Sequence, residues 1–170
     1  FPKLSADIGD PVLEVKNLNS SGVFSEISFS VRSGEILGIA GLVGSGRSEV
    51  MRAIFGVDSY DSGSVVLNGK KIQKGNPAIS MKNGLALVPE DRRQQGLFMP
   101  ISISRNSSIT VLAALRRLLL VFKKSEDSVA RKWGETLKLK YADISDPVNR
   151  LSGGNQQKVV LSKWLATEPK

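Results

Sequence analysis

The 170-residue chain contains neither cysteine nor histidine. Without cysteine, these residues form no disulfide and no zinc ribbon. Without histidine, they lack the side chain that most often transfers protons near neutral pH. The longest apolar stretch, Ile109–Phe122, has 14 residues and is interrupted by Arg116-Arg117, whereas a membrane-spanning helix needs roughly 20. The apolar content of 41% is sufficient for the core of one ordinary domain.

Basic residues are in excess, and the formal net charge is +8. Eight of them fall within 25 positions that hold only three acids: Arg116, Arg117, Lys123, Lys124, Arg131, Lys132, Lys138 and Lys140. Such a cluster is compatible with nucleic-acid binding, but the solvated face of a helix has the same composition. We favour the helical face and expect no nucleic-acid partner.

Apolar patterning predicts an α/β arrangement followed by helices. Six strands are predicted, at 13–18, 24–31, 35–40, 64–67, 71–72 and 85–88. The runs at 35–40 and 85–88 are almost entirely apolar, which is typical of strands buried on both faces. Asn68-Gly69 predicts a tight hairpin turn.

Helices are predicted after residue 46, at 109–122, at 125–140 and after residue 152. The first has an apolar stripe and ends at Gly56; the stripe consists of Val50, Met51, Ile54 and Phe55. In the third, Ser125 is expected to cap the N-terminus, and Val129, Trp133 and Leu137 share one face.

The segment Gly41-Leu42-Val43-Gly44-Ser45-Gly46-Arg47-Ser48 lies between a predicted strand and a predicted helix. Glycines let backbone N–H groups point inward, and the helix N-terminus adds partial positive charge, so this context predicts a phosphate-binding loop. Its nucleotide-binding residues are predicted to be Gly41, Gly44, Ser45, Gly46, Arg47, Ser48 and Glu49, with Ser48 as a Mg²⁺ ligand. Arg47 replaces the usual lysine, and its planar guanidinium predicts weaker nucleotide binding.

A second string, Leu151-Ser152-Gly153-Gly154-Asn155-Gln156, precedes an amphipathic run. Its pattern is that of an LSGGxQ-type signature. Ser152 is a candidate N-cap, and its hydroxyl and the following amides are donors that can meet an anion closely.

Together with the segment Val88–Leu97, these motifs resemble the second nucleotide-binding domain of the ATP-binding subunit of bacterial monosaccharide ABC importers. The resemblance spans residues 12–170, and Phe1-Pro2-Lys3 resembles the linker from a preceding cassette. It implies an α/β fold, in which a P-loop NTPase ABC-cassette core with a mixed sheet and an antiparallel β subdomain is joined to a helical signature subdomain. The implied segments are a linker (1–11), an ATP-binding core (12–100), a helical subdomain (101–152) and a signature helix (153–170).

The resemblance also implies ATP and Mg²⁺ as cofactors and a peripheral position at the cytoplasmic face of the plasma membrane. The implied partners are a second nucleotide-binding domain fused N-terminally, transmembrane permease subunits and, indirectly, a sugar-binding protein. Glu90 stands where most cassettes have a glutamine that contacts Mg²⁺ and water. An ionised carboxylate accepts hydrogen bonds but cannot donate them, so this role is expected to differ. Phe24 is a weak candidate for adenine stacking and a better one for the core.

Family cassettes continue past the signature helix into a strand that carries catalytic carboxylates, whereas this chain ends at Lys170. We therefore interpret the chain as a piece of a longer polypeptide that does not turn over ATP alone. The resemblance implies a composite site made by the first domain's loop and the Ser152–Gly154 segment of this chain. The chain's own loop would form a weaker site.

Two other interpretations remain open. The positive charge is compatible with an ABC-type DNA-maintenance ATPase, although no coiled-coil heptads are found. Arg47 and Glu90 would permit a regulatory module that binds nucleotide without hydrolysing it.

Overall fold

The computed structural model describes residues 6–170 and divides them into two compact units. The first unit extends to Leu85, and the second runs from Ala86 to Lys170. The linker-like opening Phe1-Pro2-Lys3 lies outside the described residues. The domain boundaries expected at residues 100 and 152 stay predictions.

The first unit contains a four-stranded antiparallel sheet. Its strands are β1 (Pro11–Ser20), β2 (Phe24–Arg32), β3 (Ser62–Leu67) and β4 (Lys70–Lys71), in the order β2-β1-β3-β4. Asn68 and Gly69 both have positive φ, at 48° and 74°. This is the backbone that a two-residue hairpin turn requires and that asparagine and glycine tolerate best. The strands predicted at 13–18, 24–31 and 64–67 are thus confirmed.

Helix α1 (Arg47–Phe55) follows the glycine-rich loop, as predicted. Its Ala53 and Ile54 share a buried core with Val15, Leu18 and Val65 of the sheet. The helix ends at Gly56, which has φ +89° and donates its N–H to the carbonyls of the last turn. Beyond this cap, the Asp58 carboxylate accepts two hydrogen bonds from the Arg52 guanidinium, at 2.7 and 2.9 Å. A second helix, α2 (Pro77–Lys82), begins after Asn76, whose side chain accepts from the Ile79 N–H.

The two strands predicted to be buried on both faces, 35–40 and 85–88, are not formed. The segment 35–40 is irregular, and no strand within residues 6–170 pairs with it. Its apolar side chains face solvent, and Ile36 is 98% exposed. A strand needs neighbours that satisfy its backbone groups and cover its faces. Neither condition is met here among the described residues.

The second unit is helical, and no extended strand occurs among its residues. Its helices are α3 (Ile103–Ser108), α4 (Leu112–Leu115), α5 (Lys123–Thr136) and α6 (Gly153–Leu165), with a π-helical turn at Arg92–Gly96 and 3₁₀ turns at Ile109–Val111 and Val148–Arg150. The core is built from the fully buried Ile103, Ala130, Val148, Val159 and Val160. The absence of strands between 102 and 150 agrees with the sequence prediction.

Two helix predictions require correction. The helix expected over 109–122 ends at Leu115, and the segment that follows is an exposed turn rather than a helix. The helix expected over 125–140 instead runs from Lys123 to Thr136, so Ser125 lies inside its first turn and does not cap it. Its most buried positions are Glu126, Ala130 and Gly134 rather than the predicted face. Within residues 6–170, no helix is long and apolar enough to cross a bilayer.

Candidate nucleotide-binding site

The glycine-rich loop of the first unit adopts a backbone that its glycines make possible. Gly44 and Gly46 have φ of 80° and 82°, in the left-handed region that L-residues rarely adopt. A Cβ added to Gly41 would lie 2.6 Å from the Ser45 Oγ, and one added to Gly46 would lie 3.0 Å from the Val23 carbonyl oxygen. The loop therefore closes too tightly for side chains at these two positions.

The loop leads directly into the N-terminus of α1. Gly46 is the N-cap residue, and no side chain caps the first turn. The three predicted ligands Arg47, Ser48 and Glu49 occupy that turn and are exposed. The Arg47 Nη2 donates a long hydrogen bond of 3.4 Å to the Leu42 carbonyl oxygen, so the guanidinium folds back towards its own loop.

These residues fit a phosphate group. A tight glycine loop and a helix N-terminus without a side-chain cap present backbone donors and partial positive charge to an anion. Among residues 6–170, no cluster of three or more Asp, Glu, His or Cys side chains could hold a metal by itself. At this loop the Ser48 hydroxyl would be one ligand of a Mg²⁺ ion, and oxygens of the nucleotide and of water would supply the others.

Phe24 lies at the start of β2, half-buried against the core of the first unit. The Cβ that Gly46 lacks would come within 3.8 Å of the Phe24 Cβ. Phe24 thus contributes to the packing of the loop, in agreement with its interpretation as a core residue.

In the second unit, Glu90 is exposed and precedes the π-helical turn Arg92–Gly96. Asp91 caps this turn, because its Oδ1 accepts from the N–H groups of Arg93 and Gln94 at 2.8 and 3.1 Å. The Asp91 side chain thereby fixes the backbone that follows Glu90.

The signature string begins helix α6 with three accessible positions. Ser152 and Gly154 are exposed, and Gly153 is partly exposed. Ser152 is the N-cap residue, as predicted, but its side chain does not cap the helix. Instead, its Oγ accepts a hydrogen bond of 3.1 Å from the Asn155 Nδ2. The Oδ1 of Asn155 accepts in turn from the Lys140 N–H at 3.1 Å.

Gln156 lies beneath this exposed end and is only 2% exposed. Its Nε2 donates to the Leu151 carbonyl at 3.0 Å, and its Oε1 accepts from the Arg92 Nε at 3.2 Å. The Arg92 guanidinium also lies against Gly153, where an added Cβ would be 2.7 Å from Nη2. Arg92 and Gln156 therefore brace the start of α6.

A second contact joins α6 to the same turn. The Lys163 Nζ donates a hydrogen bond of 2.6 Å to the Gly96 carbonyl oxygen, and Lys163 is only 8% exposed. It also lies 5.4 Å from the centre of the Trp164 ring, within cation–π range. Burial lowers the pKa of the Lys163 ammonium from its usual value, because a charged group is disfavoured away from water.

The sequence predicted the accessible residues of both motifs but missed Arg92 and Lys163. Arg92 lies in the segment Val88–Leu97, which carries part of the family resemblance, but no role was predicted for it. Lys163 could have been found as the single charged residue on the buried face of α6, which also carries Gln156, Val159, Val160 and Ser162.

The chain is similar to a known protein family and to relatives within it. The ABC transporter family model matches residues 24–170. The chain is 56% identical over 169 residues to the ribose import ATP-binding protein RbsA of Rhodococcus jostii, and 52% identical over 170 residues to RbsA 1 of Streptomyces coelicolor. These alignments cover 99% and 100% of this chain but 34% of each relative, so the chain spans about a third of their length.

Solved structures give the same fold. The ATP-binding cassette MJ1267 of an ABC transporter superposes with a TM-score of 0.75 at 25% identity, over 94% of this chain and 66% of that one. The cbiO1 protein from Clostridium perfringens superposes with a TM-score of 0.71 at 22% identity, over 95% and 63%. The predicted α/β cassette fold is confirmed, but the sheet within residues 6–170 is antiparallel rather than mixed, because the strands predicted at 35–40 and 85–88 are not formed. Because the family model covers most of its residues, the chain belongs to the ABC transporter family.

Proposed function

We propose that this chain is an ATP-binding domain of an ABC importer for a monosaccharide, with ribose as the first candidate. The observation that carries the proposal is the 56% identity, across 99% of the chain, to a ribose import ATP-binding protein. Hydrolysis of bound ATP would supply the free energy for import. The transport activity belongs to the larger assembly of which such a domain is one part.

In this proposal, the glycine loop binds the phosphates of ATP through its backbone, and the exposed Ser48 hydroxyl contributes to a Mg²⁺ site. The site residues are those predicted from the sequence: Gly41, Gly44, Ser45, Gly46, Arg47, Ser48 and Glu49. The Arg47 side chain keeps the positive charge but bonds to the Leu42 carbonyl, which supports a weaker hold on the nucleotide than a lysine would give.

The signature string is proposed to act on ATP held by a second nucleotide-binding domain. Its accessible residues, Ser152, Gly153 and Gly154, offer a hydroxyl and backbone amides at a helix N-terminus. Asn155 and Gln156 serve a different purpose, because both are engaged in hydrogen bonds within the unit. They orient the three residues that meet the ligand.

Two nucleotide sites of unequal quality follow from this arrangement. The stronger one combines the partner domain's loop with Ser152–Gly154, and the weaker one contains Arg47. The further partners proposed are the permease subunits and a sugar-binding protein, with the domain peripheral at the cytoplasmic face of the membrane. At the position where most cassettes have a glutamine, the ionised Glu90 would accept hydrogen bonds without donating any.

The test compares Ser152→Ala with Ser48→Ala in the full-length polypeptide assembled with its permease. Steady-state ATPase activity should fall more for Ser152→Ala, because that residue serves the stronger site. Ser128→Ala, an exposed serine on α5, is the matched control and should leave the activity unchanged. A larger loss for Ser48→Ala would reverse the assignment of the two sites, and no loss for either would refute the nucleotide-binding roles.

The expectation that residues 1–170 alone do not turn over ATP stays a prediction. Sustained, Mg²⁺-dependent phosphate release from the purified chain would contradict it. A gel shift at physiological salt separates the importer from a DNA-maintenance ATPase, since only the latter should bind DNA.

A further inference from the structure

The nine residues Arg116–Lys124 form a continuous exposed segment with an unusual order of side chains. Five consecutive apolar residues, Leu118–Phe122, are here called the apolar tip. They are flanked by two cations on each side, here called the basic rim: Arg116, Arg117, Lys123 and Lys124. All nine residues are exposed, and Leu118, Leu119 and Leu120 are 96%, 85% and 64% exposed.

The backbone holds this segment in a tight turn. Arg117 and Leu120 exchange two backbone hydrogen bonds, of 2.9 and 3.1 Å. Leu118 between them has φ +56°, which is unfavourable for a residue with a side chain. The turn places Leu118 and Leu119 at its apex, so the most apolar part of the segment is also the most exposed.

The acids that follow the basic rim do not neutralise it, because they are engaged on the other side of α5. Glu126 is buried and accepts a hydrogen bond of 3.1 Å from the Ser108 Oγ. Asp127 accepts one of 2.6 Å from the Ser104 Oγ. The outward face at the start of α5 consequently presents Lys123 and Lys124. The exposed Asp143 carboxylate, which lies outside this helix, interacts electrostatically with Lys123.

An anionic lipid surface matches both parts of this segment. Lysine and arginine are attracted to anionic headgroups, whereas leucine and phenylalanine gain free energy by leaving water for the boundary of the acyl chains. A polyanion such as nucleic acid would use the basic rim but not the apolar tip. The segment is too short to span a bilayer, so the contact would be superficial.

We propose that Arg116–Lys124 is a membrane-docking loop, whose apolar tip inserts into the interfacial region of an anionic bilayer while the basic rim binds lipid phosphates. The inference rests on the geometry of this loop and does not require that the chain bind ATP. It adds a direct lipid contact to the permease contact proposed above.

Cosedimentation of the purified protein with vesicles tests the proposal. Binding is expected to vesicles of equal parts phosphatidylcholine and phosphatidylglycerol, and to be much weaker with phosphatidylcholine alone. The variant K123Q/K124Q should bind the mixed vesicles about 25-fold less tightly, since each cation near an anionic surface contributes about fivefold. The control K70Q/K71Q removes the same charge from exposed β4 and should change binding far less.

The apolar tip needs its own variant and its own signal. L118S/L119S/L120S should bind the mixed vesicles at least about tenfold less tightly, and because these side chains are exposed the fold should persist. The variant L119W should show a blue-shifted emission when the mixed vesicles are added, which reports insertion. ATP affinity measured on the same variants should not change.

Several outcomes would overturn the proposal. These are no binding of the unaltered protein to anionic vesicles, binding that L118S/L119S/L120S leaves intact, or binding that appears only when permease is present in the vesicles. If the unaltered protein is a dimer and L118S/L119S/L120S is a monomer, the apolar tip contacts a second copy of the chain instead of a membrane. If the unaltered protein does not bind ATP, the proposed function is refuted, but the proposal that this loop docks on a membrane is not.

Discussion

The Lys163 ammonium donates a hydrogen bond of 2.6 Å to the carbonyl oxygen of Gly96, 67 residues earlier in the sequence. It thereby joins the buried face of α6 to the end of the π-helical turn that follows Glu90. Both partners are buried, so neither group can be satisfied by water when the other is removed.

Lys163→Met should lower the free energy of unfolding at neutral pH by about 1 kcal/mol. A buried carbonyl left without a donor costs about 1–3 kcal/mol, and the relief of a desolvated charge brings the net effect to the lower end of that range. Lys158→Met is the matched control, because Lys158 lies on the same helix and donates to a carbonyl in an exposed position. Urea unfolding should show a change below about 0.5 kcal/mol for the control.

The same pair of proteins should show a dependence on pH. Burial lowers the pKa of Lys163 in the folded state below the 10.5 of an ordinary lysine, so the folded protein releases this proton at a lower pH than the unfolded chain. The free energy of unfolding of the unaltered protein, taken relative to that of Lys163→Met, is therefore lowest at pH values where Lys163 is charged in both the folded and the unfolded state. It should rise with pH in the interval below 10.5, and a fall there would contradict the assignment.

The Arg92 guanidinium leaves little space for a side chain at Gly153 but does not restrict Gly154. Replacing glycine by alanine in a helix raises the free energy of unfolding by up to about 1 kcal/mol. Because the space around Gly154 is open, Gly154→Ala should stabilise the protein. Gly153→Ala should gain little, because its Cβ would displace Arg92 and weaken the hydrogen bond to Gln156, worth about 0.5–1.5 kcal/mol.

Combination with Arg92→Ala provides the control. In that background, Gly153→Ala should recover the gain seen for Gly154→Ala. Urea unfolding of the four proteins of this cycle measures the coupling directly. A gain for Gly153→Ala that is as large with Arg92 as without it would show that the guanidinium does not constrain the start of α6.

The sequence specified those features that depend on neighbouring residues. The turn at Asn68-Gly69 and the helix end at Gly56 were predictable because each is determined by the backbone freedom of one or two residues. The glycine loop was recognised for the same reason. The contacts of Arg92 with Gln156 and of Lys163 with Gly96 were not, since they join residues 64 and 67 positions apart.

Two failures have a common physical cause. Ile36–Ala40 has the composition of a buried strand, and Leu118–Phe122 contains strong helix formers, but both segments are irregular and largely exposed. The stability of a helix or strand in a protein comes mainly from the surfaces it packs against. Local composition cannot reveal whether those surfaces are supplied.

Gly46 and Gly44 offer a matched comparison in the phosphate loop, because both have φ near 80°. Alanine at either position adopts an unfavourable left-handed conformation at a cost of about 1–2 kcal/mol. Only Gly46→Ala also places a Cβ 3.0 Å from a backbone atom, the Val23 carbonyl oxygen; no atom lies within 4 Å of a Cβ at Gly44. Thermal unfolding should therefore show the larger loss for Gly46→Ala, and equal losses would mean that the Val23 contact is unimportant.

Arg47→Lys should tighten the binding of Mg·ATP to the phosphate loop. The Arg47 guanidinium now donates to the Leu42 carbonyl at 3.4 Å, and its planar fork suits a bidentate acceptor better than the interior of a tight loop. A lysine ammonium is compact and can form a charge-assisted hydrogen bond worth about 1.5–3 kcal/mol, or roughly 10- to 150-fold in affinity. Because part of that interaction is retained by arginine, we expect calorimetric titration to show an increase of about tenfold in the affinity for Mg·ATP.

Arg131→Lys, at an exposed position on α5, is the control and should leave the affinity unchanged. Equal affinity for Arg47→Lys and the unaltered protein would show that the arginine is no handicap, and the weaker of the two proposed sites would then need another explanation.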